Sequence, residues 1–253
     1  MQTLVDTHAH LADSDFDADL ADVLDRAKSV GVGRIVAVSE TLDDALKNLR
    51  LAEMYDAILP AAGLYPTYLD FDKAEAMIDL IRNNADKIVA IGEVGLDYWK
   101  IKEPEERDIQ HKIFESFIKL SIELNIPLNV HARSAGRHAI AKLIELGAKK
   151  VQMHAFDGKA STALPGIEAG FFFSIPASVM RSRQKQKLVK RLPLECLLLE
   201  TDSPVLCPEP TVRNEPANLI TALEEVARLK DIQIEELKVI IANNFHRLYD
   251  ITL

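Results

Sequence analysis

Six residues of metal-ligand type stand where short apolar runs end. They are His8 and His10 in VDTHAH, Glu93 in AIGEVGLDYW, His131 in LNVHARSAG, His154 in VQMHAFDG and Asp202 in LLLETDSP. Imidazole nitrogens and carboxylate oxygens in this mixture are ligands for divalent cations. His8 and His10 are two residues apart, so on a strand their side chains share one face. Two imidazoles on one face, with no lysine or arginine beside them, suit one metal ion. Glu93 has two oxygens and can bridge two cations, and Gly92 and Gly95 beside it permit close backbone approach. Each motif alone also has an ordinary reading: a turn-lining histidine pair, an exposed Glu at a loop entrance, a hydrogen-bonded histidine at a strand end. Brought together, the six would make a hydrolytic centre. Cations lower the pKa of water, and a carboxylate such as Asp202 takes its proton.

Such a set needs elements that bring distant strand ends to one place. Strand-like runs fall at 4–7, 34–38, 58–62, 88–92, 128–130, 150–153, 171–175 and 196–200. Between them lie helical patterns at 18–29, 42–55, 74–83, 104–124 and 134–146, and two more follow at 217–229 and 234–248. Strands alternating with helices imply parallel βα units, and continuous apolar runs such as KIVAIGEV fit strands buried on both faces. Periodicity alone does not separate an open doubly wound sheet from a barrel. The ligand-type residues at the ends of five strands favour a (β/α)8 TIM-type barrel, whose sites lie at the C-terminal ends of its strands. The whole of 1–253 reads as one domain, without internal repeat or linker. The stretch 207–216 carries three prolines and reads as a long loop after the last strand.

Other polar residues carry lesser expectations. Arg133, two after His131, would share its direction and could hold a phosphate or carboxylate bidentately. Glu200 lies two before Asp202, within the barrel, and reads as structural, since barrel interiors are packed. Asp97 reads as a loop or cap residue. His111 and His246 fall in helical patterns and read as ordinary, and His138 opens a helix. The run RSRQKQKLVKR, 181–191, has six basic residues and no acidic ones. A run like this is most often a solvated helix face. Because it follows the seventh strand, Arg181 and Arg183 are the expected substrate contacts, with the later lysines facing solvent.

Composition narrows the class. A net charge of −9 argues against non-specific coating of duplex DNA, which needs many cations, but a local basic patch or bound metal reverses the field at one site. No apolar run is long enough for a membrane span, and the start MQTLVDTHAHLADSDFD does not read as a secretory signal. Cys196 and Cys207 offer neither a disulfide framework nor a metal spacing, which fits a reducing, cytoplasmic setting.

Taken in order, D-T-H-A-H, I-G-E-V-G-L-D-Y, V-H-A-R, H-A-F-D-G and L-L-E-T-D-S-P resemble the TatD deoxyribonuclease family of the metal-dependent hydrolase superfamily. R-N-E-P at 213–216 and the closing N-N-F-H-R-L-Y are similar too, so the resemblance spans nearly the whole chain. H-A-R-S-A-G-R and F-F-S-I-P-A-S look most like the branch called TatD domain-containing protein 3. The resemblance implies hydrolysis of DNA phosphodiesters, chiefly 3′-to-5′ on single strands, with two divalent ions drawn from Mg2+, Mn2+ or Zn2+. It matches His8, His10 and Asp202 to one metal, Glu93 to the bridge, and His131 and His154 to the other metal. Arg133 and Ser203 match positions near the substrate. One departure stands out: the family commonly has G-x-H-P, and here Tyr65 occupies the histidine position in Gly63-Leu64-Tyr65-Pro66. Tyr65 keeps a hydroxyl but carries no positive charge near neutral pH. The position bears on phosphate holding, so an amide or ester hydrolase, such as an aminoacyl-tRNA deacylase, is the alternative reading. A catalytically silent barrel that binds nucleic acid through 181–191 is a third.

Overall fold

The computed structural model describes residues 3–253. Eight parallel strands follow one another in chain order: β1 (Leu4–Ala9), β2 (Val32–Ala37), β3 (Ile58–Ala62), β4 (Ala90–Asp97), β5 (Leu128–Arg133), β6 (Val151–Met153), β7 (Phe172–Pro176) and β8 (Leu197–Glu200). Each pairs with the next. The last meets the first just past its end, where the Asp202 N–H donates to the His8 carbonyl (2.9 Å) and the His10 N–H to the Ser203 carbonyl (2.8 Å). The result is a nearly closed (β/α)8 barrel.

The helices are α1 (Leu20–Ser29), α2 (Leu42–Met54), α3 (Phe71–Asn83), α4 (Pro104–Leu124), α5 (Gly136–Glu145), α6 (Ala160–Glu168), α7 (Arg183–Arg191), α8 (Leu219–Lys230) and α9 (Ile234–Tyr249). Local chemistry sets several starts. Thr41 and Asp44 form a reciprocal capping box on α2, Asp70 caps α3, and Pro104 sits in the first turn of α4, where no N–H is needed. The sequence reading gave no helix at α6, because Pro165 and Gly166 interrupt its pattern from within. It also ended the fourth strand at 92, five residues short of where β4 ends. No described helix is long and apolar enough to cross a membrane.

Two apolar layers hold the barrel. The larger packs the outward strand residues, such as Ile91, Val94, Leu128, Val130, Leu197 and Leu199, against the helices. The smaller lies inside, where Val5, Val36, Ala61, Phe172 and Leu198 meet Phe245, Leu248 and Tyr249 of α9. Helix α9 is tied to the start of β8 by Asn244 Nδ2, which donates to the Leu194 and Leu197 carbonyls (both 2.8 Å). It thus fills the end of the barrel where the strands begin and leaves the other end for chemistry.

Two register shifts aim side chains inward. One lies in β1 between Asp6 and Ala9, the other in β4 between Ile91 and Val94. An extra residue in a strand changes which face the following side chains take, and such bulges cluster beside functional sites. In β4 the shift turns Glu93 inward while Ile91 and Val94 both stay in the outer layer. Gly92 and Gly95 make this possible. A Cβ on Gly92 would stand 2.7 Å from the Asn129 carbonyl oxygen, and one on Gly95 (φ +147°) would overlap the His131 carbonyl. The close approach of β4 to β5 therefore needs glycine at both places.

Candidate active site

A cavity of about 560 Å³ opens at the C-terminal ends of the strands, and His10, Glu93, His131, His154 and Asp202 line it. His8 is fully buried just beneath and faces the same cluster. The structure thus brings all six metal-type residues of the sequence reading to one place.

The cluster has two sides that meet at Glu93. On the first side, His8 Nε2, His10 Nε2 and Asp202 Oδ1 stand 3.3–3.4 Å from one another. Glu93 Oε2 lies 3.6 Å from His10 Nε2 and 3.8 Å from His8 Nε2. Four atoms each ~2.0–2.2 Å from one tetrahedral ion would be spaced by roughly 3.3–3.6 Å. The atoms of His8, His10 and Asp202 keep that spacing and Glu93 Oε2 stands slightly farther off, so the donor set suits a divalent cation. On the second side, the other oxygen of Glu93, Oε1, lies 2.6 Å from His131 Nδ1 and 3.1 Å from His154 Nε2. The His8 and His154 rings stack at 3.7 Å and join the two sides.

Charge in the cluster is shared between acids and imidazoles. Burial favours neutral forms throughout, but the imidazoles of His154 and His131 overcome it and hold Glu93 well below the usual carboxylate range. The same opposition holds Asp202 below its ordinary value, with His154, His10 and His8 as the causes. For His10, burial is outweighed by Asp202 and Glu93, and its pKa is pushed up to about 9. His131 and His154 are raised in the same way by facing carboxylates.

A supporting set, not assigned to the site in the sequence reading, holds the ligands in place. Asn129 Oδ1 lies 2.8 Å from His8 Nδ1 and leaves His8 Nε2 to face the cluster. Asp97 Oδ2 lies 3.1 Å from His131 Nε2, while its Oδ1 accepts from the Trp99 and Lys100 amides (2.8 and 2.7 Å). Asp97 thus ends β4 and closes the turn that follows, and it is also a fully buried partner of His131. Glu200 is not a member of the cluster. Its Oε1 accepts from the Ala155 amide (2.7 Å), its Oε2 accepts from Ser174 Oγ (2.6 Å), and His154 Nδ1 lies 3.4 Å away in an ionic contact. Asp6, the first residue of D-T-H-A-H, accepts from the Thr201 amide (2.9 Å) and hydroxyl and clasps the seam between β1 and β8. A spacing signal for part of this set exists. Asn129 and Glu200 each lie two residues before a ligand-type residue.

The expected substrate contacts divide. Arg133 lines the cavity and stacks its guanidinium 3.9 Å over the Trp99 ring. Tyr65 lines it too, donating to Asp97 Oδ2 (3.3 Å) and standing edge-on to His131. Ser203 does not line it. It is fully buried, with its hydroxyl 3.1 Å from Thr201 Oγ1, because the β8–β1 seam turns it away from the mouth. Arg181 and Arg183 are exposed and outside the cavity, whereas Lys185, expected to face solvent, lines it. The cap of Ser182 on α7 sets this register, and Lys185 Nζ donates to the Ala155 carbonyl (2.8 Å). Burial lowers its pKa against the pull of Glu200, Asp157 and Asp202.

Comparison with known proteins identifies the family and the fold. The family profile described as TatD related DNase matches residues 5–250. The deoxyribonuclease TATDN3 of Homo sapiens is 45% identical, over 97% of this chain and 94% of its own length. The metal-dependent hydrolase YabD of Bacillus subtilis is 37% identical, over 98% of this chain and 99% of its own. Among solved structures, the TatD homologue YjjV of Escherichia coli superposes with a TM-score of 0.90 at 24% identity, covering 98% of each chain, and speaks for the fold alone.

Proposed function

The chain belongs to the TatD-related deoxyribonuclease family and is a metal-dependent hydrolase of ester bonds, and on that premise we propose that it degrades single-stranded DNA from the 3′ end with two divalent ions. The observation that carries the two-ion reading is the division of Glu93. One carboxylate oxygen faces His8 and His10, and the other faces His131 and His154.

His8, His10, Asp202 and Glu93 would hold one ion, and Glu93, His131 and His154 the other. Such ions supply a lowered pKa for water and offset charge on phosphoryl oxygens. The imidazole-rich set suits Mn2+ or Zn2+ better than Mg2+, which prefers oxygen ligands. The protein's own groups do the rest. Asp202, kept as a carboxylate, orients the attacking water and accepts its proton. Arg133 and Lys185 are the arginine and lysine lining the cavity, and they draw in the phosphodiester. The neutral Tyr65 hydroxyl is a hydrogen-bond donor at the opening.

The test uses metal-stripped protein restored with Mg2+, Mn2+ or Zn2+ and a 5′-end-labelled single strand, beside Asp202→Asn. Expected are two ions per chain and stepwise shortening from the 3′ end, with the variant slower by roughly 10³-fold. Two bound ions without DNA cleavage would turn the reading to amide or ester substrates, aminoacyl-tRNA among them. No bound ion would overturn it.

A further inference from the structure

Outside the metal cavity, α6 and α7 enclose a second groove of about 790 Å³. Lys159, Lys187, Lys190 and Arg191 line it, and no acidic residue does. All four are exposed, and among the described residues none is in an ion pair. In a chain of net charge −9, a cleft with four free cations is a local reversal of sign. The net negative charge repels polyanions on the whole, and this cleft would gather them.

The groove adjoins the metal cavity. Gln184, on its wall, donates to the carbonyl of Asp157, which lines the cavity. Helix α7 serves both spaces. Lys185 points into the cavity, while Lys187 and Lys190 face the groove. Lys159 follows Asp157 by two residues on the other wall. A chain of phosphates leaving the cavity past Asp157 would meet these cations in turn.

We propose that the α6–α7 groove is the track for the backbone of a single-stranded nucleic acid substrate beyond the bond being cut. This rests on the nuclease reading and adds a second contact region that engages only strands long enough to leave the metal cavity. The contacts are to phosphates, so they are indifferent to base sequence and sensitive to salt.

The experiment compares the full-length protein with Lys187→Ala/Lys190→Ala and Lys187→Glu/Lys190→Glu. Both sites are exposed, and thermal melting confirms that each variant folds. Binding of a fluorescent 20-nucleotide strand to chelator-treated protein is followed by anisotropy across a salt series. Cleavage of that strand and of a trinucleotide is followed with metal restored. The expected result is about tenfold weaker binding of the 20-mer by the charge-reversed variant, and a salt slope shallower by about 1.4 in the alanine variant, ~0.7 per lost contact. Trinucleotide cleavage stays within about twofold, since short strands do not reach the groove. Unchanged 20-mer binding in both variants overturns the proposal, as does an equal loss for the 20-mer and the trinucleotide. If no DNA is cut yet strand binding still depends on these lysines, the track stands and the nuclease reading falls. If DNA is cut and binding ignores them, the reverse holds.

Discussion

The two sides of Glu93 are built from the same residue types but are prepared differently. On the β1–β8 side, the nitrogens and oxygens of His8, His10 and Asp202 keep the 3.3–3.4 Å spacing of ligands around a common centre. On the β4–β6 side, His131 is gripped by carboxylates at both ring nitrogens, 2.6 Å from Glu93 and 3.1 Å from Asp97. On the first side three ligand-type atoms already stand apart at ligand spacing, while on the second a close Glu93–His131 contact must open before an ion can enter. The difference predicts unequal affinity, tight on the first side and weaker on the second. Glu93→Gln is the largest way to break the comparison, since it removes the charge both sides share. We expect roughly 10³-fold lower activity and a stoichiometry falling from two ions to one, read by elemental analysis after dialysis. Two tightly held ions in this variant would show that the sides do not depend on a common bridge.

Next in size are changes that touch one side only. Asp97→Asn removes the charge behind His131 and should weaken the second ion by about 10- to 100-fold while leaving the first. Asn129→Ala removes the partner of His8 Nδ1 and should do the opposite by a similar or smaller factor. Competitive chelator titration resolves the two affinities. If each variant weakened both ions equally, the two sides would be one cooperative unit.

This division also marks what was legible in the sequence. His131 lies in β5, and His154 and Asp202 follow β6 and β8 by one and two residues; these strands pair with one another through β7 without a register shift, so their strand-end positions were enough to place them. Glu93 and the His8–His10 pair follow register shifts, and in β4 simple parity counted from Ile91 would have turned Glu93 outward. The glycines at 92 and 95 hinted at close strands, but the shift depends on β5 backbone that is distant in the chain. Lys185 was misplaced for a similar reason. A run of six cations shows a helix, but which cation enters the cavity depends on where Ser182 starts that helix. Asp97 and Glu200 read in structural terms because their partners, His131 and His154, come from other strands, β5 and the end of β6. The barrel itself was legible, since eight apolar runs spaced by helices constrain topology strongly. Helix α6 was not, with Pro165 and Gly166 inside it.

A smaller and graded effect comes from pH. His10 is raised to about 9 by Asp202 and Glu93, and His131 is raised by its two carboxylates. A proton on either ring competes with a cation. Apparent metal affinity should therefore fall as pH falls, by about tenfold per unit for each proton displaced, and level off above about 9 on the His10 side. Calorimetry in buffers of different ionisation enthalpy counts the protons released. Release of none near pH 7 would show that these imidazoles are neutral before the ion arrives.

The smallest expected effect is at Tyr65, which touches the second side through Asp97 (3.3 Å) and the edge of His131. Tyr65→Phe removes one long hydrogen bond, and kcat should change by no more than about threefold. Tyr65→His is more informative. A free imidazole has a pKa of ~6.5, so this change is expected to add a cation to the cavity Arg133 also lines at pH 6 and to add less charge at pH 8. If this position helps hold phosphate, KM for single-stranded DNA should drop by roughly 2- to 5-fold at pH 6 and stay unchanged at pH 8. A KM that ignores pH in this variant would mean that the opening near Asp97 does not meet phosphate. The tyrosine would then act only on His131, through the hydrogen bond that fixes the Asp97 carboxylate.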